Sequence, residues 1–456
     1  MTVIGNSAAS RDKAFCFHPY TNLKAHETTG PTIIERGQGV RVFDDSGKEY
    51  IEGLASLWCV SLGFDEERLI DAAVRQMRKL PTYHVFSHKS HEAAIDLSEA
   101  LIKMAPVPMS KVFFANSGSE ANDTAIKLIW YYNNALGRPE KKKIISRQKA
   151  YHGVTVAAAS LTGLPNNHRD FDLPIARILH ADCPHHYRFA EEGESEEDFA
   201  TRLADNLEKL ILAEGPETIA AMFAEPIMGA GGVIVPPATY FDKIQAVLKK
   251  YDILLVADEV ICGFHRTGNA WGSQTFGLKP DILTCAKALS SGYLPISAVM
   301  VSEAVYQACV TESEKIGIFG HGYTYSAHPV SAAVALETLK IYEERDTLGH
   351  VRAVAPRLQA GLRGLLSHPL VGEARGVGLI GAVELVADKD TRAAFDPKAG
   401  VGAKVSALCQ EHGLIIRAMG DTIAVCPPLI IAEDEIDTLF TRLRTALDAA
   451  LPLVKG

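Results

Sequence analysis

The stretch Asp281-Ile-Leu-Thr-Cys-Ala-Lys287-Ala-Leu-Ser-Ser-Gly292 is an apolar run that meets a single lysine and then breaks into a small-residue turn. A lysine present only for solubility belongs on a wet helix face. A lysine at the mouth of a buried strand loses water, which lowers its pKa and frees the amine for Schiff-base chemistry. Upstream, Asp252-Ile-Leu-Leu-Val-Ala-Asp258-Glu259-Val260 has the same form but ends in carboxylates. Apolar strands that end in opposite charges predict a buried sheet with a site beyond its carboxyl edge.

The pattern extends on both sides of this pair. Strands are predicted at 111–115, 143–146, 218–224, 253–257, 282–285 and 296–301, with amphipathic helices between most of them, such as 121–136 and 240–250. Apolar strands separated by helices imply an α/β fold whose mostly parallel sheet is covered on both faces. Asn116, Glu225, Asp258 and Lys287 all fall at carboxyl ends. Before residue 64 the chain reads as an extended arm and a hairpin. Thr32-Ile-Ile-Glu-Arg and Val40-Arg-Val-Phe alternate, and Asp44-Asp-Ser-Gly-Lys turns into Glu49-Tyr-Ile-Glu. Residues 191–197 read as a solvated loop leading into a helix at 199–213. A helix near 330–344 precedes a smaller α+β domain. Its strands are expected in Gly376-Val-Gly-Leu-Ile-Gly-Ala-Val-Glu-Leu, Leu414-Ile-Ile-Arg417 and Thr422-Ile-Ala-Val-Cys, and a helix at 433–450 closes the chain. The predicted division is 1–65 as arm and hairpin belonging to the small domain, 66–335 as the large domain, and 336–456 as the rest of the small domain.

Composition narrows the classes. The chain has 456 residues, 47% apolar and 22% charged, enough for two or three domains with ample core. A net charge of −9 argues against a nucleic-acid-binding surface. The apolar runs are too short to span a bilayer, and residues 1–13 lack the apolar block of a secretion signal, so a cytoplasmic location is expected. Eight scattered cysteines include no C-x-x-C pair and read as reduced thiols. Cys183-Pro-His185-His186 lacks a fourth ligand and metal-binding spacing, so it reads as a loop and no metal is expected.

Several segments suit one ligand. Asn116-Ser117-Gly118-Ser119-Glu120-Ala121-Asn122-Asp123 follows a strand and opens a helix, where free N–H groups attract an anion and Gly118 allows close approach. Ser117 and Ser119 add hydroxyls; as a helix start alone, the segment is an N-cap with acids complementing the dipole. Tyr151-His152-Gly153 offers an aromatic face in a strand-end loop. Asp258, costly to bury unpaired, suits a protonated ring nitrogen, or else caps the next segment or pairs with Arg266. At about 4 Å and an effective dielectric of about 20, such a pair gains on the order of 4 kcal/mol, an upper figure because desolvation opposes it. A phosphate, a flat ring, a ring cation and an aldehyde within reach of Lys287 together describe pyridoxal 5′-phosphate.

The chain resembles the class III pyridoxal-phosphate aminotransferases over almost its whole length. The resemblance is carried by Asp258-Glu-Val-Ile-Cys-Gly-Phe-His-Arg-Thr-Gly268 and by Asp281 through Lys287 to Gly292. Trp58-Cys59, the 116–123 segment, Tyr151-His-Gly, Glu225-Pro-Ile-Met-Gly-Ala-Gly-Gly232 and His321-Gly-Tyr-Thr324 are similar to the ω-aminotransferase group, which passes amines to pyruvate. The resemblance implies a fold type I transferase and an obligate homodimer with active sites at the interface, a tetramer remaining open. It implies Lys287 in Schiff-base linkage, Asp258 on the pyridine nitrogen, Tyr151 on the ring, and Ser117, Gly118 and Ser119 at the phosphate. It also implies His152, Glu225 and Val260 beside the cofactor and Thr324 reaching the neighbouring subunit's phosphate. Arg417 matches a mobile arginine for substrate carboxylates, and Tyr20, Leu57, Trp58, Phe86, Tyr151 and Ala230 match substrate-pocket positions.

Two departures stand out. The ornithine and 4-aminobutyrate branches carry a glutamate five residues after the Glu-Pro glutamate, where this chain has Ala230. That argues against those substrates and leaves Arg417 without its usual resting partner. The family pattern more often has glycine at His265, a choice the sequence alone does not explain. The expected activity is ping-pong transfer of an amino group from a primary amine or ω-amino acid to pyruvate, giving alanine. The alternative is an aminomutase or decarboxylase using the same lysine. A non-catalytic binding protein predicts loss of Lys287 or Asp258, and both are present. A nicotinamide dehydrogenase lacks its early G-x-G-x-x-G.

Overall fold

The computed structural model describes residues 6–455; the first five residues of the expected arm lie outside the described residues. A seven-stranded sheet forms the centre. Its order is Lys111–Ala115, Ser297–Val301, Ile282–Cys285, Leu254–Asp258, Ile219–Ala224, Lys143–Arg147 and Ile178–Ala181. Ser297–Val301 runs antiparallel to both of its neighbours, and every other pairing is parallel. The expected mostly parallel sheet is therefore present. Its edge strand Ile178–Ala181 escaped the sequence reading because it is four residues long and half-exposed after its first residue.

Side-chain alternation sends each central strand into two cores. Met222 and Leu255 pack with Phe199, Leu203, Leu207, Phe241 and Ile244 on one face. Phe223 and Val256 pack with Ala121, Ala125, Ile126 and Ile129 on the other. Each such fully buried large side chain contributes roughly 1.5–3 kcal/mol, which holds the strand ends rigid beneath the site. The helix Glu196–Glu214 begins inside the stretch expected to be a loop. Ser195 accepts the Asp198 N–H at 3.1 Å, and acids fill the first turn, so the polar run is a helix start.

Two four-stranded sheets flank the centre. One comprises Ile34–Gln38, Arg41–Asp44, Glu49–Glu52 and Leu414–Ile415; the other comprises Val371–Val377, Ile380–Leu385, Thr422–Val425 and Arg417–Met419. The expected single strand at 414–417 is thus split between two sheets. Leu414–Ile415 pairs parallel with Ile51 and Glu52, whereas Arg417–Met419 pairs antiparallel with Thr422–Val425. The chain changes partners at Ile416, which is buried. No helix among the described residues is long and apolar enough to cross a membrane.

Candidate active site

The carboxyl ends of Leu254–Asp258 and Ile282–Cys285 lie side by side, with Asp258 paired in register to Thr284. Asp258 is 3% exposed and is met by three donors. Oδ2 lies 2.8 Å from Asn122 Nδ2 and 2.8 Å from His152 Nδ1, and Oδ1 accepts the Val260 N–H at 3.1 Å. Asn122 is fixed in turn, since Thr284 Oγ1 donates to its Oδ1 at 2.9 Å and its Nδ2 also reaches the His152 carbonyl at 2.7 Å. This arrangement leaves Oδ1 capacity for one further donor from the cleft. Arg266 is elsewhere, donating to the carbonyls of Leu379 and Pro427. Glu259 points away from Asp258 and accepts the Gly272 and Ser273 N–H groups; burial pushes its pKa up to about 7.

Lys287 follows two residues after its strand, with φ of 51°. Its amine has no hydrogen-bond partner among the described residues, and burial lowers its pKa, with Asp258 the largest opposing influence. The turn behind it is pinned by Ser291, whose hydroxyl oxygen accepts the Ser61 and Leu62 N–H groups at 3.0 and 2.9 Å. That contact fastens the segment after Trp58 to the lysine.

The helix Gly118–Ala135 starts at the same edge. Ser117 caps it by accepting the Glu120 N–H at 3.2 Å, and is exposed rather than part of the cleft wall. Gly118 and Ser119 have N–H groups without acceptors among the described residues, as expected of a first helical turn. Glycine is needed opposite them. Gly153 has φ of 128°, and a Cβ there would stand 2.4 Å from Ser119 Oγ. Ser119 Oγ accepts the Val154 N–H at 3.1 Å.

Glu225 ties two loops together. Its carboxylate accepts the Tyr151 N–H at 2.9 Å and the Gly229 N–H at 3.0 Å, next to Ala230. Burial raises its pKa. The Tyr151 hydroxyl pKa is also raised, first by burial and then by the neighbouring Tyr20, while Arg417 opposes the shift. Arg417 has no carboxylate partner among the described residues; its guanidinium carbon lies 6.0 Å from the Tyr20 ring centre, at the limit of a cation–π contact. Tyr20 is itself held by Asn167 Nδ2, 2.5 Å from its hydroxyl.

Gly118, Ser119, Asn122, Tyr151, His152, Gly153, Glu225, Asp258, Val260, Ile261 and Lys287 line one cleft of about 130 Å³. Tyr20 and Arg417 stand beside its Tyr151 wall. Trp58 is buried among Ile227 and Ile261, with Leu57 exposed next to it. Phe86 and Thr324 are not in this cleft. Phe86 lies against Gly322, where a Cβ would come within 2.7 Å of its ring, and Thr324 is exposed nearby in the chain. Asn122, Gly153, Ile261 and Thr284 were assigned no role from sequence. A polar Asn122 on the helix face otherwise formed by Ala121, Ala125, Ile126 and Ile129 was the available signal.

Two sequence details find an account. His265 has φ of 76°, a left-handed conformation that glycine adopts at least cost, which explains the family's preference there. Cys183, Pro184 and His185 lie in a loop as expected, which leads into the short helix His186–Phe189, and His185 Nε2 is 2.8 Å from Glu373. Arg375 bonds both Glu373 and Glu384, and Arg188 bonds Glu384, so two guanidinium groups already balance that pair of acids.

The donor set fits the expected cofactor. A carboxylate with spare acceptor capacity, an unpaired amine, free N–H groups at a helix start and a glycine-cleared wall surround one space. Residues 23–447 match the family model for class-III aminotransferases. The Pseudomonas jessenii omega transaminase in complex with PMP is 57% identical, covering 98% of this chain and 99% of that one, with a TM-score of 0.97. A thermostable form of that enzyme carrying W58M/F86L/R417L was engineered for asymmetric synthesis of enantiopure bulky amines; it is 57% identical over 98% of this chain and 100% of that one, TM-score 0.97. A transaminase solved with L-Ala is 62% identical over 92% of this chain and 99% of its own, TM-score 0.91. The chloroplastic gamma aminobutyrate transaminase 3 of Solanum lycopersicum is 53% identical over 418 residues, 91% of this chain and 80% of that protein. Its named substrate is one of those that the Ala230 departure argues against for this chain.

Proposed function

The chain belongs to the class-III aminotransferases, and on that premise we propose that it moves an amino group from a primary amine or ω-amino acid to pyruvate, releasing L-alanine and an aldehyde or ketone. It is a pyridoxal-phosphate-dependent aminotransferase acting on an amine and a keto acid. The finer reading rests on Arg417. A guanidinium with no acid partner, set beside Tyr20 and Tyr151 at the cleft wall, suits a small keto-acid carboxylate. Its freedom from a resting glutamate, with Ala230 in that place, lets it turn aside for an apolar donor. The relative solved with L-Ala, and the bulky-amine variant altered at numbers matching Trp58, Phe86 and Arg417, support this reading. 4-Aminobutyrate fits the same frame as donor, since its carboxylate takes the place at Arg417.

Lys287 would hold the cofactor's aldehyde carbon, Asp258 its ring nitrogen, Tyr151 its ring face, and the Gly118 and Ser119 N–H groups its phosphate. His152 and Glu225 orient Asp258 and Tyr151, and Val260 walls the cleft. When bound, the cofactor supplies the electron sink and carries the amino group between the two half-reactions. Lys287, its pKa lowered by burial, takes the proton from the donor's reacting carbon and later returns one. Leu57 and Trp58 exclude water around an apolar donor. Arg417 grips the pyruvate carboxylate bidentately. Phe86 and Thr324, placed away from this cleft, complete that of a second copy in a homodimer. The test is alanine formation from pyruvate across arylalkylamines, diamines and 4-aminobutyrate. Alanine from at least one donor supports the proposal. Activity with 2-oxoglutarate alone, or amine loss without alanine, contradicts it.

A further inference from the structure

Residues 55–58, beside the cleft, follow a strained course. Ala55, Ser56 and Trp58 have φ of 49°, 60° and 64°, and Ser56 has ψ of −103°, outside the left-handed helical basin. Non-glycine residues persist in such conformations only where the surroundings over-determine them. One end of the segment is fastened to the Lys287 turn through the Ser291 contacts with Ser61 and Leu62. The other end begins at Glu52.

Glu52 is 6% exposed and has no cationic partner among the described residues. Its Oε1 accepts the Leu54 N–H at 3.0 Å, and the nearby Ser56 N–H also favours the charged carboxylate against burial. A buried, unpaired acid is a poor choice for stability alone. It is a good choice where the backbone N–H groups of a non-helical turn need an acceptor. The base beneath it is rigid. Glu52 pairs with Ile415, the Gly53 N–H donates to the Ile415 carbonyl at 2.8 Å, and the Cys426 N–H donates to the Gly53 carbonyl at 2.7 Å. The same strand that supports Glu52 therefore leads within two residues to Arg417.

We propose that Glu52 is a positioning residue for the amine donor. It holds residues 54–58 in their strained course, so that Leu57 and Trp58 shape the donor pocket although Glu52 itself does not line the cleft. This inference rests on the amine:pyruvate reading. The test compares holoenzyme Glu52→Leu, which removes the acceptors but keeps bulk, with Glu52→Gln, whose carbonyl still accepts. Two readouts are taken: amide hydrogen exchange of a peptide spanning 54–59, and KM for an arylalkylamine donor against KM for pyruvate. Glu52→Leu is expected to speed exchange and raise the donor KM by about fivefold or more, the effect of losing one hydrogen bond, with pyruvate KM within about threefold. Glu52→Gln recovers most of both losses. Unchanged exchange, parallel rises in both KM values, or no recovery with glutamine overturns the proposal. If Glu52→Leu does not fold, Glu52→Asp decides. It keeps the charge but draws the acceptor back by one methylene, so that segment should exchange faster and the donor KM should rise, and an unchanged donor KM overturns the proposal. Absence of alanine formation by the unmodified enzyme would defeat the parent reading instead, while the exchange measurement still tests the clamp.

Discussion

His152 Nδ1 lies 2.8 Å from Asp258 Oδ2, and both side chains are almost wholly buried. The histidine comes from a loop 106 residues earlier in the chain. Together with Asn122 it aims the carboxylate at the cleft, so the anion is held in place rather than left to hydrate.

Asp258→Asn should lower kcat by up to roughly 10³-fold, the equivalent of about 4 kcal/mol of lost ring-cation pairing. The variant should remain folded by circular dichroism, because asparagine keeps the volume. Steady-state kinetics check this, and a loss below tenfold would remove Asp258 from the proposed role.

Arg417→Ala should separate the half-reactions. Loss of a bidentate grip costs about 3 kcal/mol, so KM for pyruvate should rise roughly a hundredfold. The single-turnover half-reaction with a hydrophobic amine should change by less than about fivefold. Equal losses in the two half-reactions would contradict the swinging role.

Acid should destabilise the fold through His265. Burial depresses its pKa from 6.5 to about 4. Between those values the unfolded chain binds the proton and the folded chain does not, so stability is fully present above pH 6.5 and is lost as pH falls toward 4. The difference amounts to about 3 kcal/mol at most. Glu52 and Glu259, both raised to about 7 by burial, act with the opposite sign, their contribution being lost as pH rises from 4.5 through 7. His265→Gln should therefore lose less Tm than the unmodified protein between pH 7 and pH 4.5. Identical pH profiles would count against the assignment.

Much of the site was legible because it sits where local pattern changes. Asp258 and Lys287 interrupt apolar strands, and a charge at such a position has few structural uses. The mostly parallel sheet followed from the same strands, with Ser297–Val301 the antiparallel exception. Long-range pairing was not legible. Nothing local tells that Asn122 meets Asp258, that the segment 414–417 divides between two sheets, or that Arg375 and Arg188 balance the acids facing His185. His265 is instructive in another way: its side chain gives no hint of a backbone at φ of 76°. Ser117 caps the helix, the use that a helix start alone implies for it.

The amine of Lys287 is the proposed point of attachment for the cofactor. Borohydride reduction of the purified holoenzyme, followed by digestion and mass spectrometry, tests it most directly. A pyridoxyl mass is expected on the peptide containing Lys287 and on no other lysine peptide. An unmodified Lys287 peptide, or the added mass on a different lysine, would contradict it.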